Sequence, residues 1–165
     1  MSEESSSAET GGEGQQPVFA LERVYVRDLS FEAPNALEML GQEGQPEVDV
    51  ELGTQGRVVS DQGHVESILT VTVRSTLADK TVFIAEVQQA GLFRIAGVPD
   101  EQVEQLMGVN CPTILFPYAR EAVSNLVARG GFQQLLLDPV NFQALYEQSR
   151  QQQAAEESAG QSGGH

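Results

Sequence analysis

The chain has 165 residues, enough for one domain, and its 24 acidic against 9 basic residues give a formal charge of −15. That balance argues against direct nucleic-acid binding, which depends on lysine and arginine neutralising phosphates, and favours basic partners. The lone Cys111 excludes an internal disulfide, and His64 and His165, far apart in the chain, make a Cys/His metal site a poor fit.

The first sixteen residues, MSEESSSAETGGEGQQ, are too poor in apolar groups to offset ordering entropy and read as a disordered acidic tail; residues 151–165 read the same way. No apolar run reaches the length of a membrane span, and the N-terminus lacks the basic region of a secretory signal. The sequence therefore predicts a soluble protein that stays where it is made.

Four strands follow in residues 17–97. In 18–31, VFALERVYVRDLSF, the residues Phe19, Leu21, Tyr25, Leu29 and Phe31 share one parity, and Glu22, Asp28 and the following Glu32 the other. Pro34 ends that strand. Over about 46–57 the second strand alternates sharply: Val48, Val50 and Leu52 form a face fit for a core, opposite Glu47, Asp49 and Glu51. The third, HVESILTVTVRSTL, sets Val65, Leu69, Val71, Val73 and Leu77 against Glu66, Ile68, Thr70, Thr72 and Arg74. A short turn at ADK leads to the fourth, KTVFIAEVQQAGLFRIAG, in which Gly91 suggests a bulge or bend.

Short links between successive strands make an antiparallel sheet. From residue 99 the period becomes helical. PDEQVEQLMG predicts a short helix stopping at Gly108, then an extended apolar linker, then a helix with Pro117 in its first turn and Gly130 at its end. Its apolar stripe is Ala119, Val123, Leu126 and Val127. A last helix starts near 138–141 and carries Phe142, Leu145 and Tyr146. Strands first and helices later predict an α+β fold with helices on one face of the sheet.

The sequence carries no nucleophile elbow, phosphate loop or metal motif, so an enzyme is not expected. Two features exceed a bland surface and core. Acidic residues recur on one parity of several strands: Glu22, Asp28, Glu32, Glu47, Asp49, Glu51, Glu66 and Glu86. The proline-bounded run CPTILFPY could line an apolar groove, although filling the helix–sheet core explains it equally well.

The stretches DLSFEAPNA, TVFIAEVQQAGLFRIAG, CPTILFPYARE and LDPVNFQALY, in this order over roughly residues 17–150, resemble the SecB family of protein-export chaperones. The resemblance implies a bacterial, cytoplasmic, ATP-independent holdase that keeps precursor proteins unfolded and delivers them to the SecA motor, with neither nucleotide nor metal built into the chain. It implies a homotetramer, a dimer of dimers in which protomers join sheets into eight strands and helices lie between two such sheets. Val123, Leu126 and Val127 would then lie at the oligomer interface. It implies that Asp28, Glu32, Ile84 and Glu86 bind the basic, zinc-holding C-terminal tail of SecA; Glu47, Asp49 and Glu51 are not carried over from the family, and on charge alone they would add long-range attraction. It also implies that Phe83, Ala85, Val87 and Gln89 serve precursor binding or tetramer packing; the family often has cysteine where Ala85 stands. A SecB-like module serving one dedicated partner, such as an antitoxin-associated chaperone, is the rival reading.

Overall fold

The computed structural model describes residues 16–161. Four strands, β1 (Val18–Glu32), β2 (Glu47–Val58), β3 (His64–Leu77) and β4 (Lys80–Ala96), form one antiparallel sheet in the order β1-β4-β3-β2. Strands β3 and β4 are central, and their valines and aromatics meet the demands of a pleated surface buried by neighbours. The turn between them is two residues long, with Ala78 and Asp79 both at positive φ (50° and 62°), the backbone of a type I′ hairpin whose twist matches the strands.

The helices are α1 (Ala36–Leu40), α2 (Asp100–Gln105), α3 (Cys111–Arg129) and α4 (Phe142–Gln161). They pack on one face of the sheet, hereafter the inner face. Leu115, Ala119, Val123 and Val127 of α3 are fully buried, with Leu69, Val71, Val73, Ala85, Val87 and Phe93 of the sheet in the same core. Each buried Leu, Val or Phe among them contributes about 1.5–3 kcal/mol on burial, and the alanines less. Phe31, Phe83 and Phe132 stack at one end of this core, with centroids 5.6–6.4 Å apart. Phe116 meets Phe142 edge-on at 5.9 Å and ties α3 to α4.

Four local expectations are corrected. First, 109–116 is not an extended linker. A π turn over Leu106–Asn110 joins α2 to α3, so the helical path is continuous. Pro112 would crowd the carbonyl one turn back in a regular helix, and the wider π turn just before it relieves that clash. The hydroxyl of Thr113 donates to the Val109 carbonyl at 2.5 Å. Pro117 thus lies inside α3 rather than in its first turn.

Second, β4 runs unbroken through Gly91. The glycine instead makes room above the sheet, where a Cβ would sit 2.9 Å from Leu115 of α3. The bulges occur in β1, between Leu21 and Arg23 and between Val26 and Asp28. Third, α4 continues to Gln161, so residues 151–161 are helical rather than part of a disordered tail; the remainder of that tail, like nearly all of the N-terminal one, lies outside the described residues. Fourth, α1 was not foreseen between β1 and β2.

Gly130 does close α3, followed by Gly131 at φ 88°. The Phe132 amide donates to Val127 and the Gly131 amide to Ala128, the paired bonds of a Schellman cap that needs a left-handed residue.

Candidate functional site

The sheet register places every outer-face side chain. Paired residues share a face, so rows can be read across β1, β4, β3 and β2. They run Glu32–Ile84–Arg74–Asp49, then Ser30–Glu86–Thr72–Glu51, Asp28–Gln88–Thr70–Gly53, Tyr25–Ala90–Ile68–Gln55 and Arg23–Leu92–Glu66–Arg57. Asp28, Glu32, Ile84 and Glu86 therefore converge on adjacent positions of β1 and β4. Asp28 and Glu32 are exposed, and Ile84 and Glu86 half-buried. The Thr72 hydroxyl donates to Glu86 Oε2 at 3.1 Å and fixes that carboxylate. Glu47, Asp49 and Glu51 extend the acidic area along β2, and Asp49, Glu51, Thr72 and Arg74 line a shallow concavity of about 130 Å³. Among the described residues of this half, Arg74 is the one cation in the rows.

The other half of the same face differs, because Glu66 does not belong to the acidic surface as the strand pattern suggested. It is only 7% exposed, receives the Tyr25 hydroxyl at Oε2, and receives Arg57 Nε at 2.8 Å on Oε1, with Arg27 3.6 Å away. The hydrogen bond from Tyr25, aided by Arg57 and Arg27, holds its carboxyl below the usual carboxylate range despite burial. Burial and the Glu66 contact push the Tyr25 hydroxyl above its ordinary value. Tyr25 itself lies on the outer face, not with Phe19 and Leu21: the first bulge of β1 inverts the alternation and the second restores it at Asp28.

The inner face of the same strands holds the remaining expected residues. Phe83, Ala85, Val87 and Gln89 are all buried in the single chain, at 5%, 0%, 0% and 3% exposure, and Gln89 donates to the Tyr25 carbonyl at 3.1 Å. They form the floor of the core rather than an open surface. The α3 stripe expected at an oligomer interface packs in the single chain against its own sheet. Val123 and Val127 are 0% exposed against their own sheet, and only Leu126 keeps partial exposure. The run CPTILFPY serves the core: Cys111, Pro112, Leu115 and Phe116 are buried, and burial pushes the Cys111 thiol up to about 12.

A groove does exist, but elsewhere. Between β2 and α4 a cleft of about 270 Å³ is lined by Leu52, Thr54, Phe142, Leu145 and Tyr146, and it continues past Met107 into a wider opening of about 510 Å³. Asn141 caps α4 here, its Oδ1 accepting from the Ala144 amide at 3.1 Å. The aromatic and aliphatic spacing of FQALY was visible in the sequence; that it faces Leu52 across a gap was not. Beside the groove, Val48 and Val50 of β2 keep 44% and 43% exposure, and on the opposite edge Val26 and Leu29 keep 50% and 45%. The helix layer thus leaves both sheet margins bare.

An antiparallel sheet with a charged outer face and helices bordering a groove on the other defines an α+β protein with two distinct surfaces. A model of the SecB family, preprotein translocase subunit SecB, matches residues 12–153. The protein-export protein SecB of Dechloromonas aromatica is 55% identical over 142 residues, covering 86% of this chain and 93% of that protein. Its counterpart in Methylobacillus flagellatus is 49% identical over 154 residues, covering 93% and 95%. The chain belongs to the SecB family. Among solved structures, a SecB-like chaperone of Mycobacterium tuberculosis, determined with a peptide from an antitoxin, superposes with a TM-score of 0.60 over 74% of this chain and 90% of its own at 18% identity, a likeness of fold. No helix among the described residues is long and apolar enough to cross a membrane.

Proposed function

We propose that the chain is an ATP-independent protein-export chaperone that holds unfolded precursors on its helix side and hands them to the SecA motor, whose basic zinc-holding tail docks on Asp28, Glu32, Ile84 and Glu86. The observation that carries this reading is the division of labour across one sheet. Acidic groups converge on the outer face, while the groove of Leu52, Phe142, Leu145 and Tyr146 opens on the inner side. Two partners can therefore bind at once without sharing side chains. An unfolded chain offers apolar side chains on an extended backbone, and several shallow contacts along one groove and its assembled copies accumulate by multivalency. Folded proteins hide those side chains, so selectivity for unfolded segments needs no turnover.

The reading includes a cytoplasmic homotetramer. Its support is the bare sheet margin, since Val26, Leu29, Val48 and Val50 form apolar strips that a second copy would cover. Phe83, Ala85, Val87 and Gln89 act in it as the packed floor that holds α3, and their part in precursor binding is indirect.

The test is titration with the isolated SecA tail and, separately, with an unfolded precursor. Glu86→Lys replaces attraction by repulsion on the outer face and is expected to weaken tail binding at least about tenfold, within the range measured for close charge pairs, while precursor binding stays within a factor of two. Equal loss of both activities would mean that Glu86 supports the fold, and unchanged tail binding would return the acidic half to an ordinary solvated surface.

A further inference from the structure

The outer face is electrically two-ended, and its second end has no role in the reading above. Four of the chain's nine cations gather there. Arg23 and Arg57 flank the Leu92–Glu66 row, Arg27 projects from the second bulge of β1 toward Glu66, and Arg94 pairs with Ala20 and His64 one row further on. Against them stand two carboxylates, Glu66, which is already committed, and Glu22, whose Oε2 lies 3.3 Å from His64 Nε2. Arg23 and Arg94 are exposed and have no carboxylate partner among the described residues. In a chain of charge −15, such a cluster attracts whatever acidic segment is nearest.

One acidic segment is tethered to this end by the chain itself. Residues 1–15 contain Glu3, Glu4, Glu9 and Glu13 and no lysine or arginine, and the chain enters β1 at Val18, two positions before Ala20, the residue paired with Arg94. Fifteen extended residues span on the order of 50 Å, more than the roughly 15 Å width of four strands. Tethering at this range makes the effective concentration roughly millimolar, enough for weak charge pairing to count. The acidic half of the face repels the same segment, so the landing site is restricted to the arginine end.

We infer that the acidic N-terminal segment docks on the basic end of the outer sheet face, on Arg23, Arg94 and the exposed sides of Arg27 and Arg57. The acidic end of the face takes no part in this contact. Its contacts are exposed ion pairs, so docking weakens with salt over a Debye length of about 8 Å at physiological ionic strength.

The experiment uses the full chain with a nitroxide on Ser6→Cys; the buried Cys111 thiol stays unlabelled. Methyl signals of Leu92, at the basic end, and Ile84, at the acidic end, report proximity. At low salt the label is expected to broaden Leu92 several-fold more than Ile84, and the difference disappears in Arg23→Glu/Arg94→Glu, whose changed residues are exposed and leave the core intact. A Glu-specific protease should cut residues 1–15 several-fold faster in that double variant than in the unlabelled wild type, and the control Arg120→Glu, on the exposed side of α3, should match wild type. Equal broadening of the two methyls, or a cleavage rate unaffected by the double reversal, overturns the inference. So does a poly-glutamate peptide that binds the arginine end as tightly in the wild type as in a full chain with Glu3, Glu4, Glu9 and Glu13 changed to glutamine, since the site would then be vacant and meant for a separate partner.

Discussion

Glu66 shows how a single residue couples the sheet to pH. Its carboxyl is depressed by the Tyr25 hydrogen bond first and by Arg57 and Arg27 after that. A depressed carboxylate contributes stability above its ordinary value of 4.5, lost as the pH falls through the folded-state value. Tyr25 is raised, so its contribution is present below its ordinary 10.0 and lost as the pH rises through the folded-state value. Tyr25→Phe removes the donor and leaves a buried carboxylate short of a partner, at a cost of about 1.5–3 kcal/mol near neutrality. The acid unfolding midpoint, followed by circular dichroism, is expected to move to higher pH in this variant and its alkaline limb to lose the tyrosine component. An unchanged acid midpoint would mean that Arg57 and Arg27 alone hold the carboxylate.

At the scale of elements, α3 and α4 carry opposite duties. The buried stripe of α3 is structural, so Val127→Asp places a charge in the chain's own core and should unfold it, by more than about 3 kcal/mol, rather than merely dissociate copies. Thermal denaturation distinguishes the two outcomes: a folded but dissociated variant would contradict the burial seen here. Helix α4 is mostly exposed and forms one wall of the groove, held at its start by Asn141 and Phe142. Asn141→Ala loses the cap, at about 1 kcal/mol to the helix. The expected result is faster amide exchange over the first turns of α4 and weaker precursor binding, with the melting of the sheet nearly unaltered.

For the whole molecule, the bare margins of the inner face are where the proposed assembly is tested. Val50→Asp alters a side chain that is 43% exposed in the single chain, so its own fold should survive. If copies cover that margin, light scattering will report a smaller particle than wild type at equal concentration, with the circular dichroism spectrum preserved. A full-sized particle would move the contact to the other margin, where Leu29→Asp is the corresponding test. The acidic half of the outer face acts at this scale too: Glu47→Gln, Asp49→Asn and Glu51→Gln together should flatten the salt dependence of association with the basic tail more than they change its strength at high salt.

By itself the sequence determined the α+β class, four strands to within about a residue at each end, a short turn after β3 and the approximate start of α4, because period-two alternation and turn residues are local signals. It also carried the family, since long motifs in fixed order survive where single residues vary. On the site it placed Asp28, Glu32 and Glu86 on one face, as the register bears out. Only the tertiary structure decided the rest. Tyr25 changed faces because a bulge is defined by its partner strand, and Glu66 left the acidic surface because Arg57 and Tyr25 reach it from different strands. Gly91 proved to be a gap for Leu115 rather than a bend. Val123 and Val127 are fully buried within the single chain, a placement the sequence left open, since an apolar stripe reads the same whether its own sheet or another chain covers it. Alternation says that a face is apolar; what packs against it is settled by distance in space, which the one-dimensional chain does not contain.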